Sequence, residues 1–230
     1  MTRASRVRRL VAVVPARDEE LLVRGCVTAL LRAARRCPVP VDVVVVADRC
    51  RDATADVARA AGARVVVPPG GRGGGGVGAA RAAGAAAALA GLDPDTTWIA
   101  CTDADSRVRA CWLRHQLEHA RRGADLVLGL VRLPPDPGGG TAGWRRRYAT
   151  GVRGDTHRHV HGANLGVRAS AYLAAGGFAA VPAHEDVALA GAVRALPGAR
   201  VVSAVHCPVL TSDRRAGRTP AGVAHDLRSA

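Results

Sequence analysis

The sequence predicts an α/β protein with a mostly parallel central sheet flanked by helices. Short apolar runs of strand length recur along the chain, each run stops abruptly in a polar loop, and alanine-rich helical stretches separate successive runs. A run that is apolar throughout suits a parallel strand covered on both faces, and the strand, loop, helix rhythm is that of βαβ units. Ligands of such sheets bind beyond the carboxyl ends of the strands, so the loops that follow the strands carry the functional residues.

The first run, Leu10 to Val14, ends in Pro15-Ala16-Arg17-Asp18-Glu19-Glu20. Those acids lead into a helix reaching about Arg36, because negative side chains suit a helix N-terminus. Val41 to Ala47 is the second strand, stopped by Asp48-Arg49-Cys50-Arg51-Asp52-Ala53-Thr54, with a helix to Ala61 and a third strand over Arg64 to Val67. Pro68 to Gly76 is glycine-rich and opens a helix from about Gly78 to Gly91. Arg81 stands where a dinucleotide fingerprint has its third glycine, and no glycine turn follows the first strand, which argues against a nicotinamide cofactor. A surface loop and a phosphate-facing loop both fit these glycines.

Thr97 to Cys101 is a buried strand that runs into Asp103-Ala104-Asp105. In extended chain residues i and i+2 share a side, so both carboxylates can meet one hard cation. One aspartate capping the following helix explains the same residues, and locally both readings stay open. Ala110 to Arg122 is an amphipathic helix whose apolar face (Ala110, Leu113, Leu117, Ala120) leaves His115 and His119 towards solvent, so their match to a zinc-protease pattern carries no weight. Asp125 to Val131 is a strand, and the proline- and glycine-rich Leu133 to Gly143 marks a boundary between lobes or a mobile lid.

His157, His159 and His161 alternate along a predicted strand, a spacing that suits a polar face better than a metal cluster without a carboxylate nearby. Gly162 to Val167 continues as a small-residue strand, and Ser170 caps a short helix ending at Gly176-Gly177. His184-Glu185-Asp186 opens a later helix. Asp186 shares its inward face with Leu189 and Val193, which leaves Glu185 to cap the helix start. Arg200 to Val205 is the last strand. Beyond it Thr211, Ser212, Arg214, Arg215 and Arg218 suit either a diphosphate or a solvated tail.

The 230 residues carry a net charge of +14, all of the basic side chains being arginine, and a basic surface favours anionic partners. Aromatic residues are only 3%, too few for the stacking platforms of single-strand binders, which argues against nucleic acid. The six cysteines form no C-x-x-C pair and read as small buried hydrophobes in a reducing compartment. The apolar run after the basic Met1-Thr2-Arg3 is too short for a signal peptide, and no stretch reaches membrane-spanning length, so a cytoplasmic location is expected.

Four stretches, in their order and spacing, resemble GT-A-fold glycosyltransferases of glycosyltransferase family 2: Val13 to Glu20, Asp48 to Thr54, Thr102 to Asp105, and Glu185-Asp186. The resemblance covers about residues 9–215. It implies a Rossmann-like GT-A fold in a single domain over residues 1–230, with a donor half over about 9–106, an acceptor half over about 107–215 and a polar tail over 216–230. It further implies that Pro15, Ala16, Arg17 and Glu19 line the base and ribose of a nucleotide sugar, UDP- or GDP-linked, with Asp48 at the base and Arg81 near the phosphates. Asp103, Ala104 and Asp105 would touch the donor, and Asp103 and Asp105 would hold Mn²⁺ or Mg²⁺, with His206 as an additional ligand. Asp186 is the implied general base, with His161, Gly162, Asn164 and Glu185 on the acceptor side. Arg49 and Arg51, where relatives often carry small residues, and the glycine expansion over Gly70 to Gly76 depart from the family pattern. A chain of this length, with no membrane helix after the last strand, implies a soluble acceptor hydroxyl or a lipid reached peripherally by the basic surface. Rival readings are a nucleotidyltransferase, against which the loop after the first strand speaks, and a non-catalytic basic binding module.

Overall fold

A computed structural model describes residues 6–69, 76–181, 183–217 and 222–229. Met1 to Arg3, the glycine expansion up to residue 75, and Arg218 lie outside the described residues. The elements run β1 (Arg9–Ala16), α1 (Val23–Ala34), β2 (Val41–Ala47), α2 (Thr54–Ala60), β3 (Arg64–Val66), α3 (Gly76–Leu89), β4 (Thr97–Cys101), α4 (Trp112–Arg121) and β5 (Leu126–Arg132). They continue with α5 (Ala142–Ala149), β6 (Val152–Arg153), β7 (Thr156–His157), β8 (Leu165–Arg168), α6 (Ala169–Ala174), α7 (Glu185–Ala195), β9 (Val201–Leu210) and α8 (Val223–Arg228).

Seven strands form one sheet in the order β3-β2-β1-β4-β8-β5-β9, and β6 and β7 make a separate hairpin. The sheet is mostly parallel, as expected, with β8 inserted antiparallel between β4 and β5. The uniform apolar strands have a direct cause. Along β1, Leu10, Ala12 and Val14 face the layer that holds α1, α2 and α4, while Val11 and Val13 face the layer that holds α3, α6 and α7. Both sides of the pleat are therefore covered. Helix α3 lies close because Gly84 has no side chain: a Cβ there would stand 2.6 Å from Val13 and from Val46.

Several local expectations need correction. Within Leu133 to Gly143 the chain turns into α5, whose Trp144 is buried against Val131, Leu133, Ala163 and Leu227. The strand expected through His161 stops at His157, and residues 162–164 form a 3₁₀ turn before β8 begins. Ser170 lies inside α6, whose N-cap is Arg168 without a side-chain cap bond. On α4, Gln116 is buried and His115 and His119 are half-buried, their rings meeting edge to face at 4.7 Å. Cys26, Cys101 and Cys207 are buried, but Cys111 is exposed. The polar tail is not wholly solvated, because α8 packs Leu227 into the same small cluster as Trp144.

Candidate active site

The carboxyl ends of β1, β2 and β4 open into a cleft of about 380 Å³. The loop after β1 brings Pro15, Ala16, Arg17 and Glu19 to its wall, and β2 brings Asp48 and Arg49. These two loops are stitched together. The Glu19 amide donates to Thr54 Oγ1 (2.7 Å), the Arg51 amide to Asp18 Oδ1 (2.7 Å), the Glu20 amide to Asp52 (3.1 Å) and the Ala53 amide to Glu20 (3.1 Å). Asp18 and Arg49 hold positive φ angles of 50° and 54°, within a framework that fixes the backbone around the cleft. Asp48 is paired with Arg49 at 2.9 Å.

Asp103 and Asp105 both line the cleft, but by a different geometry from the alternation of extended chain. Strand β4 ends at Cys101, and the Ser106 amide closes a turn onto the Asp103 carbonyl (3.0 Å). Convergence of the two carboxylates is a property of that turn. Burial raises the Asp105 carboxyl to about 6, and the charge of Asp103 adds to the effect, while Arg214 and a hydrogen bond from Ser106 oppose it. Arg214 lies 3.1 Å from Asp105 and forms a two-pronged pair with Glu19 (2.9 and 2.6 Å).

Arg81 does not present a free guanidinium to the cleft. It is 3% exposed and donates to Asp103 (2.5 Å) and, closely, to Glu185, with the Phe178 ring 5.9 Å away. Its pKa is held up by Asp103 and then Glu185, against the lowering effect of burial. Glu185 is the inward-facing residue at the start of α7, which corrects the assignment of that face to Asp186. Burial raises its carboxyl, and Arg81 offsets part of the rise.

Asp186 sits beside it on the cleft wall, less buried, with Oδ2 accepting from the Gly162 amide (2.7 Å) and Oδ1 from the Val187 amide (2.8 Å). Gly162 is itself pinned: a Cβ at this position would collide with the Arg81 guanidinium.

His161 reaches the cleft at the end of an aromatic stack. Trp144 lies on Tyr148 (4.5 Å), Tyr148 on His159 (3.9 Å), and His159 beside His161 (5.8 Å). The alternating histidines do share a side, and their rings stack with centroids 6.0 and 5.8 Å apart. Tyr148 Oη accepts from the Val131 amide (3.0 Å) and shares a hydrogen bond with His161 Nε2 (3.1 Å). Burial lowers the His161 pKa to about 4, so the ring is neutral at ordinary pH.

Two expected site residues lie elsewhere. Asn164 is buried, accepts from Trp112 Nε1 (2.8 Å) and donates to the Leu130 carbonyl (2.8 Å), a structural bridge among three elements. His206 is exposed on β9 beside His115 and His119, outside the cleft wall. The positive φ of Cys207 (61°) and the register shift opposite Gly129 and Val131 break the alternation from which its direction would be read. Thr211, Ser212 and Arg214 line the cleft, the first of the two uses that stretch allowed, and Val223, Ala224 and Asp226 line it with no expectation attached to them. The arginines and hydroxyls of the C-terminal stretch were the only signal for that side.

Asp103 and Asp105 offer the hard oxygen donors that Mg²⁺ and Mn²⁺ prefer, on one wall of the cleft. The residues therefore fit a divalent ion. Atoms of Asp18, Cys50 and Asp52 also approach within 4.8 Å of one another, but the two aspartates already accept backbone hydrogen bonds.

The model of Glycosyl transferase family 2 matches residues 11–172. No curated protein matches the sequence. Among solved structures, residues 1–349 of TarS from S. aureus in complex with UDP-GlcNAc align with a TM-score of 0.66 and 13% identity, covering 93% of this chain and 61% of that one. The mannosyltransferase PcManGT from Pyrobaculum calidifontis, in complex with GDP-Man and Mn²⁺, gives 0.64 and 17%, covering 93% and 59%. Glucosyl-3-phosphoglycerate synthase from Mycobacterium tuberculosis, with Mn²⁺, UDP and phosphoglyceric acid, gives 0.53 and 17%, covering 84% and 67%. The chain thus spans about three-fifths of the first two solved chains, and the likeness establishes the GT-A type of fold.

Proposed function

The chain belongs to glycosyl transferase family 2, and we propose that it moves a sugar from a UDP- or GDP-linked donor to the hydroxyl of an acceptor. The observation that carries this reading is that Asp103 and Asp105, from the first half of the chain, and Asp186, from the second, line one cleft. The three solved relatives bind nucleotides or nucleotide sugars, two of them with Mn²⁺, which supports a nucleotide donor and a divalent ion here.

Under this proposal the loops after β1 and β2 hold the nucleoside, and Asp103 and Asp105 hold Mn²⁺ or Mg²⁺ against the diphosphate. Bound there, the ion supplies Lewis-acid stabilisation of the charge that develops on the leaving nucleotide. Asp186 takes the acceptor proton. Its two backbone hydrogen bonds aim the carboxylate at the cleft, whereas Glu185 is tied to Arg81, and His161 has its Nε2 engaged by Tyr148. A neutral imidazole whose pKa is near 4 is also a weak base. His161 instead lines the acceptor side of the cleft beside Asp186. Attack from the side opposite the leaving group inverts the anomeric carbon.

Calorimetry with UDP and GDP in the presence of Mn²⁺ tests the donor site. Binding is expected to need the ion and to vanish in Asp105→Ala, and a wild-type protein that binds neither nucleotide refutes the proposal. Asp186→Asn is expected to keep nucleotide binding and to lose transfer by about two or more orders of magnitude. Undiminished turnover would remove Asp186 from the reaction.

A further inference from the structure

The cleft holds a cation of the protein's own. Arg214 follows β9 in a segment with no helix or strand, and its guanidinium bridges Glu19, which is 7% exposed, and Asp105. Asp105 shares the cleft wall with Asp103 and Glu19, so the guanidinium of Arg214 supplies positive charge where three carboxylates gather. The buried arginine of the site, Arg81, cannot take over this duty. Arg81 is enclosed under Gly162 and held between Asp103 and Glu185, whereas the Arg214 side chain remains about one-third exposed, at 32%.

A divalent ion arriving at Asp105 would meet a guanidinium 3.1 Å from the same carboxylate. Two cations on one carboxylate repel, and the weaker must leave. A diphosphate entering with the ion brings two negative groups whose oxygens match the guanidinium fork.

We propose that Arg214 is an exchange cation: it occupies Glu19 and Asp105 while the donor site is empty, and passes to the diphosphate when a divalent ion takes Asp105. This rests on the donor reading above and adds to it a defined competition between side chain and metal. The exchange keeps Asp105 paired before and after binding, so the carboxylate is never left buried without a counter-charge. It also predicts that removing one side chain shifts two affinities in opposite directions.

Mn²⁺ binding without nucleotide, followed by the electron paramagnetic resonance of the free ion, reads the first affinity. Calorimetric titration of UDP and GDP at saturating Mn²⁺ reads the second. Arg214→Ala should bind Mn²⁺ alone about three- to tenfold more tightly, since it removes one partly screened ion pair. The same variant should bind the nucleotide about tenfold or more weakly, since charge-assisted hydrogen bonds are lost. Arg214→Lys, which keeps the charge without the fork, should fall between wild type and Arg214→Ala in both titrations. If Mn²⁺ alone binds Arg214→Ala no more tightly than wild type, the exchange is wrong even where nucleotide binding falls, and the donor reading stands. If the wild-type protein binds no nucleotide with Mn²⁺, both readings fall together.

Discussion

Replacing Arg81 by alanine should be the most destabilising single change at the cleft. The guanidinium and Glu185 are each 3% exposed, and Asp103 is bound to the other side of the same group. Removing the cation leaves Glu185 buried without a partner, a change that costs about 3–5 kcal/mol. For a chain of this size that lowers the melting temperature by about 6–20 °C. The sign of the pH dependence follows from Glu185, whose carboxyl is raised by burial and restrained by Arg81. Without Arg81 the folded protein holds the Glu185 proton more tightly than the unfolded chain does, so stability falls as pH rises. Urea unfolding followed by circular dichroism should therefore show a smaller penalty for Arg81→Ala at pH 5 than at pH 8. The double variant Arg81→Leu/Glu185→Leu should recover at least half of the loss, because it removes both charges. An Arg81→Ala protein within about 1 kcal/mol of wild type, with no pH dependence of the difference, would refute the assignment of a buried ion pair.

Because Asp105 titrates near 6, Mn²⁺ affinity should fall about tenfold between pH 7 and pH 5 as protons compete for the carboxylate, and isothermal titration at the two pH values checks it. Tyr148→Phe removes a hydrogen bond accepted from the Val131 amide and one shared with His161. It should cost about 1–3 kcal/mol in a thermal melt, and a melt within a few tenths of a kcal/mol of wild type would refute those bonds. Gly162→Ala places a methyl group against a guanidinium that two carboxylates hold in place, and should cost about 1–3 kcal/mol while weakening the amide that aims Asp186. Unchanged melting and turnover would contradict that packing.

The sheet was legible because strands covered on both faces must be apolar at every position, as in β1, β2 and β4. The loops after them were legible for the complementary reason, that the chain turns polar where the cover ends. Helical spacing on α7 was ambiguous by one residue: Glu185 at four and eight residues before Leu189 and Val193 fits the inner face as well as Asp186 does. A buried carboxylate there needs a partner, and that partner, Arg81, is 104 residues away in the sequence. No local signal joins the two. Asn164 was expected on the acceptor side from the family resemblance, yet the indole of Trp112, on α4, is what it satisfies. His206 was lost to a backbone irregularity at Cys207 that composition does not announce. The short α5 was hidden because its arginines leave only Trp144 buried.

Helix α8 folds back so that Val223, Ala224 and Asp226 stand at the cleft, while Leu227 anchors it beneath Trp144 and Arg147 donates to the Asp226 and Ser229 carbonyls. A change far from the carboxylates, at Leu227 or Arg147, therefore reshapes the cleft wall by loosening the helix that forms it.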